Sequence, residues 1–354
     1  MTRLPGSGGD AAPERADLIG PNDPRWRETL GSVTHDFYHL PEYCLLEADR
    51  LGGEVVAAYV NQPGVRLLIP LIRRSIPHSS AEDLVSPYGY PSLIAEFSDS
   101  GRLRSALLTA VDSLREQGFV SMFVRLHPIL DFPSSVLDGV GRLVEHGQTV
   151  SIDLRQDDAQ QWADMRPNYR KALRRSESAG LRAFIDGTGQ HLDRFVDLYT
   201  ETMHRRNAAR DYFFSSEYLV GLWEQLPASM HLGVVEAGDR IVCAGLFGES
   251  RGIVQYHLSG TGEDALEFSP LKVLLDGVRR WATQRGDSVL HLGGGIGGAE
   301  DSLMQFKSGF SSQRRMFKTW RVVLDEQRYA NLSGRSGDAS DFFPAYRAEH
   351  CPAL

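Results

Sequence analysis

The chain has 354 residues, 42% of them hydrophobic and 24% charged, and its 46 acidic and 38 basic residues give a formal net charge of −8. This composition is ordinary for a globular protein and supplies enough apolar material for two hydrophobic cores. The negative balance excludes a protein coated in positive potential for wrapping duplex nucleic acid, so no DNA partner is expected. A local basic patch is still compatible with it.

The two ends of the chain are predicted to be tails, over residues 1–23 and 331–354. The first 17 residues are rich in Gly, Ala, Pro and charge and contain no apolar run, so they can neither pack a core nor act as a secretory signal. No stretch approaches the roughly 18 to 20 consecutive apolar residues that cross a bilayer. We therefore expect a cytoplasmic protein without transmembrane contact.

Apolar periodicity in the first half predicts a compact α+β unit. Two β-branched runs at residues 54–60 and 66–72 flank a Pro-Gly turn and predict a β-hairpin. Residues 102–116 carry apolar positions at helical spacing and stop before Gly118. Residues 119–126 then predict a strand.

The same order of elements recurs roughly 170 to 180 residues later. Hairpin, third strand, helix and closing strand are predicted at residues 231–236 with 240–247, at 252–259, at 271–285 and at 288–292. Two copies predict an α+β fold of two tandem modules, each a mostly antiparallel sheet flanked by helices. The division near residue 150 gives a first domain over 24–150 and a second, active-site domain over 151–330.

Basic residues are concentrated after this division. A helix predicted from Pro167 to Gly180 presents a cationic face. A solvated face is one interpretation, and contact with nucleic-acid phosphates is the other. The candidate phosphate contacts are Arg170, Lys171, Arg174 and Arg175.

A second group of cations follows a helix predicted over residues 191–204. Guanidinium groups bind carboxylates or phosphates through paired donors in a planar fork, although ordinary surface arginines would give the same pattern. The candidates for substrate binding here are Arg205, Arg206, Arg210 and Tyr212.

The run from Gly293 to Gly298 formally satisfies the G-x-G-x-x-G dinucleotide pattern. A dinucleotide fold needs that turn to open a series of parallel units, and this one lies near the end of the chain. An oxidoreductase is therefore disfavoured. The alternative is that the backbone N–H groups near Gly294 and Gly295 stabilise an anion or a developing oxyanion.

Other catalytic signatures are absent from the sequence. No histidine pair has metal spacing, no G-x-S-x-G, Walker or H-E-x-x-H motif occurs, and the three cysteines lack the paired spacing of a zinc or redox site. We predict no bound metal, no bound cofactor and no covalent enzyme intermediate.

Four segments carry a family resemblance: SPYGYP at 86–91, RPNYRKALRRSESAGL at 166–181, HLGGG at 291–295 and DSLMQFKSGFS at 301–311. Together with the duplication they resemble the Fem-like aminoacyltransferases and their tandem GNAT-fold relatives, over roughly residues 24–329. Two features depart from that family: no long coiled-coil insertion is present, and the glycines after His291 are more numerous.

The resemblance implies a transferase that moves an aminoacyl group onto a free amine. Phe306 and Lys307 match the family's phenylalanine–lysine motif, so Lys307 is expected to stabilise the transition state or bind the end of the RNA donor; a solvated helix lysine is the alternative. Asp301 is a candidate weak base, and Tyr88 and Tyr256 are candidate substrate-binding residues.

The donor and acceptor stay open. Aminoacyl-tRNA is preferred over acyl-coenzyme A, because the R-x-x-G-x-G/A pyrophosphate loop of simple acetyltransferases is not evident while the basic helix could touch an acceptor stem. The acceptor is expected to be an amine-bearing peptide, nucleoside-peptide or cell-wall precursor, free or bound to a carrier protein. The departures favour antibiotic tailoring over peptidoglycan bridge formation. A non-catalytic binding protein on a degenerate transferase fold is the third alternative.

Overall fold

The computed structural model describes residues 15–334 and 342–350. The first part of the chain folds into six strands and three helices: β1 (Asp17–Ile19), α1 (Pro24–Ser32), α2 (Pro41–Leu51), β2 (Glu54–Gln62), β3 (Val65–Ser75), β4 (Glu82–Val85), β5 (Ile94–Phe97), α3 (Ser100–Glu116) and β6 (Ser121–Arg125).

The remainder begins with a long strand and continues through seven helices and six further strands: β7 (Arg142–Asp153), α4 (Asp158–Asp164), α5 (Pro167–Ser178), β8 (Leu181–Asp186), α6 (Leu192–Arg205), α7 (Ser216–Gln225), β9 (Met230–Ala237), β10 (Arg240–Ser250), β11 (Ile253–Thr261), α8 (Pro270–Arg285), β12 (Val289–Gly293), α9 (Ser302–Lys307), β13 (Arg314–Val323) and α10 (Glu326–Ser333).

All thirteen strands of the described residues belong to one sheet, in the order β1-β2-β3-β4-β6-β13-β7-β12-β11-β10-β9-β8, with β5 paired to β3. Read from either edge, the strand orientations are the same. Three antiparallel pairs are followed by one parallel pair, β4 with β6 or β11 with β12, and then by an antiparallel pair. The sheet therefore has internal twofold similarity.

The innermost strands are exchanged between the two halves. β7 follows β6 in the chain but pairs with β12, and β13 follows β12 but pairs with β6. β7 and β13 also pair with each other, with a register shift at Phe317 and Lys318. The predicted domain division near residue 150 lies inside β7.

Four hydrophobic clusters cover the two faces of the sheet. In the first half α3 packs on one face, around Leu107 and Trp320, while α1 and α2 pack on the other. In the second half α5 and α8 cover one face. The fourth cluster joins the halves, because Phe37 and Tyr43 pack among residues of α6 and α7. Glu47, fully buried, accepts a 2.6 Å hydrogen bond from the Tyr218 hydroxyl across this junction.

The predicted α+β class and the repeated hairpin, helix and strand are confirmed. The tails differ where the structure describes them. Asp17–Ile19 was predicted to belong to the amino-terminal tail but forms β1 and pairs with β2. The pairing is favourable because it supplies backbone hydrogen bonds to an edge of the sheet that would otherwise be open. Near the other end, Tyr346 and Arg347 bond the buried Asp83 at 3.1 and 2.6 Å. Residues 1–14, 335–341 and 351–354 lie outside the described residues. Within the described part, no helix has the length and apolar character needed to span a membrane.

Candidate active site

Lys307 lies at the end of the short helix α9 and is 7% exposed. Its Nζ donates a 2.6 Å hydrogen bond to the Gly294 carbonyl. Burial lowers the pKa of Lys307 to about 7, although the carboxylate of Asp301 acts in the opposite direction. A solvated helix lysine would be exposed, so the burial of Lys307 and its bond to Gly294 contradict the solvated-helix interpretation.

Two tyrosines flank the Lys307 ammonium group. Its Nζ lies 5.6 Å from the ring centroid of Tyr256. A methyl group placed on Gly293 would lie 3.3 Å from this Nζ and 3.5 Å from the Tyr90 hydroxyl, so both polar atoms line the same point of the backbone. Gly293 has φ of 75°, a conformation that glycine adopts without strain. Burial raises the pKa of both Tyr90 and Tyr256 to about 12, so both hydroxyls stay protonated at neutral pH.

The glycine-rich bend is used mainly for close backbone packing. A Cβ on Gly147 of β7 would fall 1.8 Å from the Gly298 carbonyl oxygen, and one on Gly294 would fall 2.8 Å from that of Gln148. The backbone N–H of Gly294 is directed at the Tyr90 hydroxyl, which it favours in its ionised form. The bend therefore holds the Lys307 ammonium group and the Tyr90 hydroxyl close to β7.

Asp301 caps α9. One carboxylate oxygen accepts from the Met304 N–H at 2.8 Å and the other from the Ile296 N–H at 2.9 Å. Partial burial acts to raise the pKa of Asp301, but these backbone donors prevail and lower it. A carboxylate held in this way is a weak base, and its position explains the local fold: it joins the glycine bend to the start of the helix.

Phe306 lies on the outer side of α9, against the start of α5. Its ring is 6.1 Å from that of Tyr169 and 5.8 Å from that of Phe310. The Tyr169 hydroxyl donates a 2.8 Å bond to the Phe306 carbonyl. The phenylalanine–lysine pair is therefore clamped to the basic helix.

The basic helix α5 has an exposed face, and its first turn contacts Phe306 through Tyr169. Lys171, Arg174 and Arg175 are exposed, while Arg170 donates to the carbonyl of Ala163 at 2.8 Å. The guanidinium of Arg174 also stacks over Trp162, at 5.7 Å. Three of the four predicted phosphate contacts are thus free to meet solvent or a ligand.

The three predicted substrate-binding arginines differ in their exposure and in the groups that they meet. Arg206 is exposed, and its charge acts on the Tyr256 hydroxyl. Arg205 is half-buried and donates to the Thr202 hydroxyl at 3.2 Å, and Arg210 is exposed. Arg206 is the one of the three whose charge reaches the surroundings of Lys307.

A half-buried arginine that was not identified from the sequence, Arg125, lies beside Tyr88, Tyr90 and Tyr212. Arg125 ends β6, stacks over Phe123 at 5.0 Å and donates one long bond, 3.4 Å, to the Ser86 carbonyl. Its charge lowers the pKa values of Tyr88, Tyr90 and Tyr212, although burial raises each of them overall. Burial in turn lowers the pKa of Arg125. The structure therefore places the Arg125 guanidinium near Tyr88 of the same half and Tyr212 of the other half.

These residues lie where the two halves meet. Tyr88, Tyr90 and Arg125 come from the first half, and Tyr212, Tyr256, Gly294 and Lys307 from the second. The parallel pairs β4 with β6 and β11 with β12 end at this place, and the polar groups follow their carboxyl ends. β12 is not paired with the next strand in the chain, β13, because the antiparallel β7 lies between them. In the described part of the chain the glycine turn after β12 therefore does not open a series of adjacent parallel strands, which contradicts the dinucleotide-binding alternative.

Comparison with known proteins agrees with this architecture. Residues 163–308 match the family model of the acetyltransferase (GNAT) domain. The crystal structure of FemX superposes with a TM-score of 0.65 at 12% identity, covering 85% of this chain and 96% of FemX. No curated protein matches the sequence.

Two further solved structures have TM-scores of 0.55. They are the C-terminal domain of a putative lysylphosphatidylglycerol synthetase from Agrobacterium fabrum and L-PGS from Bacillus licheniformis, at 12% and 13% identity. Each covers 86% of this chain, and 92% and 94% of the respective partner.

Residues 163–308 thus match the GNAT domain model, and the chain has, across both halves, the fold of FemX. The predicted resemblance to the Fem-like transferases is confirmed at the level of the fold.

Proposed function

We propose that the protein is an aminoacyltransferase that moves an aminoacyl group from aminoacyl-tRNA onto the free amine of an anionic acceptor. The observation that carries this proposal is the buried Lys307, held between Gly294, Tyr90 and Tyr256 at the seam of a duplicated GNAT fold. An aminoacyl ester is already activated, so the protein needs to align the two reactants and stabilise the oxyanion.

In this scheme the protonated Lys307 donates to the carbonyl oxygen of the ester as it becomes negative. A cation in a water-excluded site is worth more to a developing charge than the same cation in water. The hydroxyl of Tyr90 is protonated and offers a further donor beside Lys307, whereas that of Tyr256 is hydrogen-bonded to the Ser259 hydroxyl.

The acceptor would be held by its acidic group. Arg125 is half-buried and forms no ion pair with a carboxylate of the described residues, so its fork is available for a carboxylate or phosphate. Arg206 is exposed and its charge acts on the Tyr256 hydroxyl, so it suits a second negative group. A peptide or nucleoside-peptide amine, free or attached to a carrier, has this chemistry.

The preference for an RNA donor rests on charge. The pyrophosphate of coenzyme A would bind most favourably at the amino end of a helix that follows a strand, where backbone N–H groups point at the ligand. The connection from β11 to α8 carries the exposed acids Glu263, Asp264 and Glu267, and α3 begins behind Asp99. These carboxylates oppose a pyrophosphate. The exposed cations of α5, adjoining Phe306, suit the phosphates of an acceptor stem. FemX and the lysylphosphatidylglycerol synthetases share the fold, which supports a donor of this class.

The GNAT match over residues 163–308 keeps an acyl-coenzyme A N-acyltransferase as the second candidate. The two are separated by incubating the protein with amine acceptors and either charged tRNA, with and without ribonuclease, or acyl-coenzyme A. We expect amide product from charged tRNA that ribonuclease abolishes. Product from acyl-coenzyme A alone would replace the RNA donor, and no product from either would favour a non-catalytic binding protein.

A further inference from the structure

A chain of four buried polar side chains crosses the seam beside Lys307. Asp36 and His127 come from the first half, and Gln255 and His291 from the neighbouring parallel strands β11 and β12. All four are at most 4% exposed. Burying four polar side chains is costly unless their hydrogen bonds are satisfied. The donor and the acceptor in each of these bonds therefore indicate where the protons lie.

The direction of the chain starts at His127. Its Nδ1 accepts the backbone N–H groups of Ile129 and Leu130, both at 3.0 Å. An imidazole nitrogen that accepts carries no proton, so the neutral ring has its proton on Nε2. That Nε2–H donates to the Asp36 carboxylate at 2.7 Å.

Gln255 transmits this direction to His291. Its side-chain N–H donates to the same oxygen of Asp36 at 2.5 Å, and its carbonyl oxygen lies 2.7 Å from Nδ1 of His291. A reversed amide would set its oxygen against the carboxylate, which is repulsive. The proton of His291 is therefore held on Nδ1, and its Nε2 carries a lone pair.

The free nitrogen of His291 is at the proposed reaction centre. Nε2 is buried and has no hydrogen-bond partner among the described residues. The imidazole ring packs edge-on against Tyr90, at 5.2 Å, and lies two residues before Gly293. The charged or titratable groups that face it are Tyr90, His127 and Lys307. Burial, reinforced by His127 and Lys307, holds the pKa of His291 well below its usual value, so Nε2 is unprotonated at neutral pH.

We propose that Nε2 of His291 is the proton acceptor for the attacking amine, with Gln255 and Asp36 as positioning residues. This inference rests on the proposed transfer reaction. The amine nitrogen forms a bond to the ester carbonyl carbon and becomes cationic, and His291 takes one of its protons. The carbon–oxygen bond to the donor then breaks, and the proton passes from His291 to the leaving alkoxide. Ester and amine give amide and alcohol, and the imidazole is regenerated.

The expected effect follows from the size of acid–base catalysis. Removing a positioned base typically costs between about 10² and 10⁴ in rate. We expect His291→Ala to lower kcat by at least about 10²-fold with little change in KM, and added imidazole to restore part of the loss in proportion to its free-base concentration. Gln255→Leu should lower kcat by about 10-fold or more, because nothing then holds the proton on Nδ1.

The matched control is His231→Ala. His231 also has a buried, unpartnered Nε2, and burial lowers its pKa to about 4, but it packs on Trp281. This variant should keep the wild-type kcat within about twofold.

Transfer by the wild-type enzyme together with an unchanged kcat in His291→Ala would overturn this inference alone. If His291→Ala does not fold, an unchanged kcat in a folded Gln255→Leu variant decides against it. Absence of product with the wild-type enzyme from every acyl donor would overturn the proposed function as well.

Discussion

Replacing Lys307 with Met is expected to make the protein more stable and less active at the same time. The buried ammonium group has its pKa lowered from 10.5 to about 7. A shift of one pKa unit corresponds to about 1.36 kcal/mol. The charged form of Lys307 therefore lowers the free energy of unfolding by about 5 kcal/mol, compared with a lysine whose pKa is the same in the folded and unfolded states. The Met variant also leaves the Gly294 carbonyl without its donor, which costs about 1–3 kcal/mol. The net gain at pH 6 is about 2–4 kcal/mol.

The sign of the pH dependence provides the decisive test. Between the folded pKa near 7 and the unfolded pKa of 10.5, the unfolded chain binds more protons, so wild-type stability rises with pH in this window. Urea titrations should therefore show the advantage of Lys307→Met shrinking by about 3 kcal/mol from pH 6 to pH 9.5. Lys171→Met, at an exposed lysine of α5, is the control and should show no such trend.

A stability difference that stays constant over this range would mean that the Lys307 ammonium group is solvated, and the reasoning about the site would fail. Turnover should meanwhile fall by on the order of 10²-fold or more, as removal of an oxyanion donor typically causes. Normal turnover in Lys307→Met would remove the residue from the mechanism.

Three further variants address the acceptor, the helix cap and the donor. Arg125→Lys keeps the charge but loses the planar fork, so KM for an anionic acceptor should rise about 10-fold or more at similar kcat; an unchanged KM would exclude Arg125 as the anchor. Asp301→Asn should cost about 1 kcal/mol in unfolding free energy and keep turnover within about 10-fold, whereas a loss near 10²-fold would restore Asp301 as the base. Replacing Lys171, Arg174 and Arg175 together with Ala should reduce the salt dependence of tRNA binding by a log–log slope of about 2 to 3, and an unchanged slope would place the RNA elsewhere.

Local patterns were sufficient for most of the elements. The apolar alternation at 54–60 and 240–247 and the helical spacing at 102–116 and 271–285 predicted β2, β10, α3 and α8 to within a few residues. Each of these segments buries one face against elements that are close to it in the chain. The periodicity of its apolar residues is therefore sufficient to identify it. The exchange of β7 and β13 was not predictable, because a strand's pattern shows which face is buried and not which distant strand it joins.

The site was predictable only in part, for the same reason. Lys307, Gly294 and Tyr256 are brought together, and the family motif had directed attention to that lysine. Arg125 and Tyr90 were missed because each is a single residue that meets a second-half group distant in sequence, Tyr212 for Arg125 and Gly294 for Tyr90. A signal did exist for His291, because it is a polar residue between the apolar Leu290 and Leu292, and Gln255 likewise follows the apolar Ile253 and Val254.

The exchanged strands tie the completion of the first half to the very last strand of the fold. β6 gains its inner neighbour only when residues 314–323 pair with it, and Ser121 is matched with Val323. During synthesis one side of β6 stays unpaired until residues 314–323 have left the ribosome. A chain cut short before β13 would leave that edge open to pairing with other strands, so a truncation in the second half exposes an aggregation-prone edge in the first.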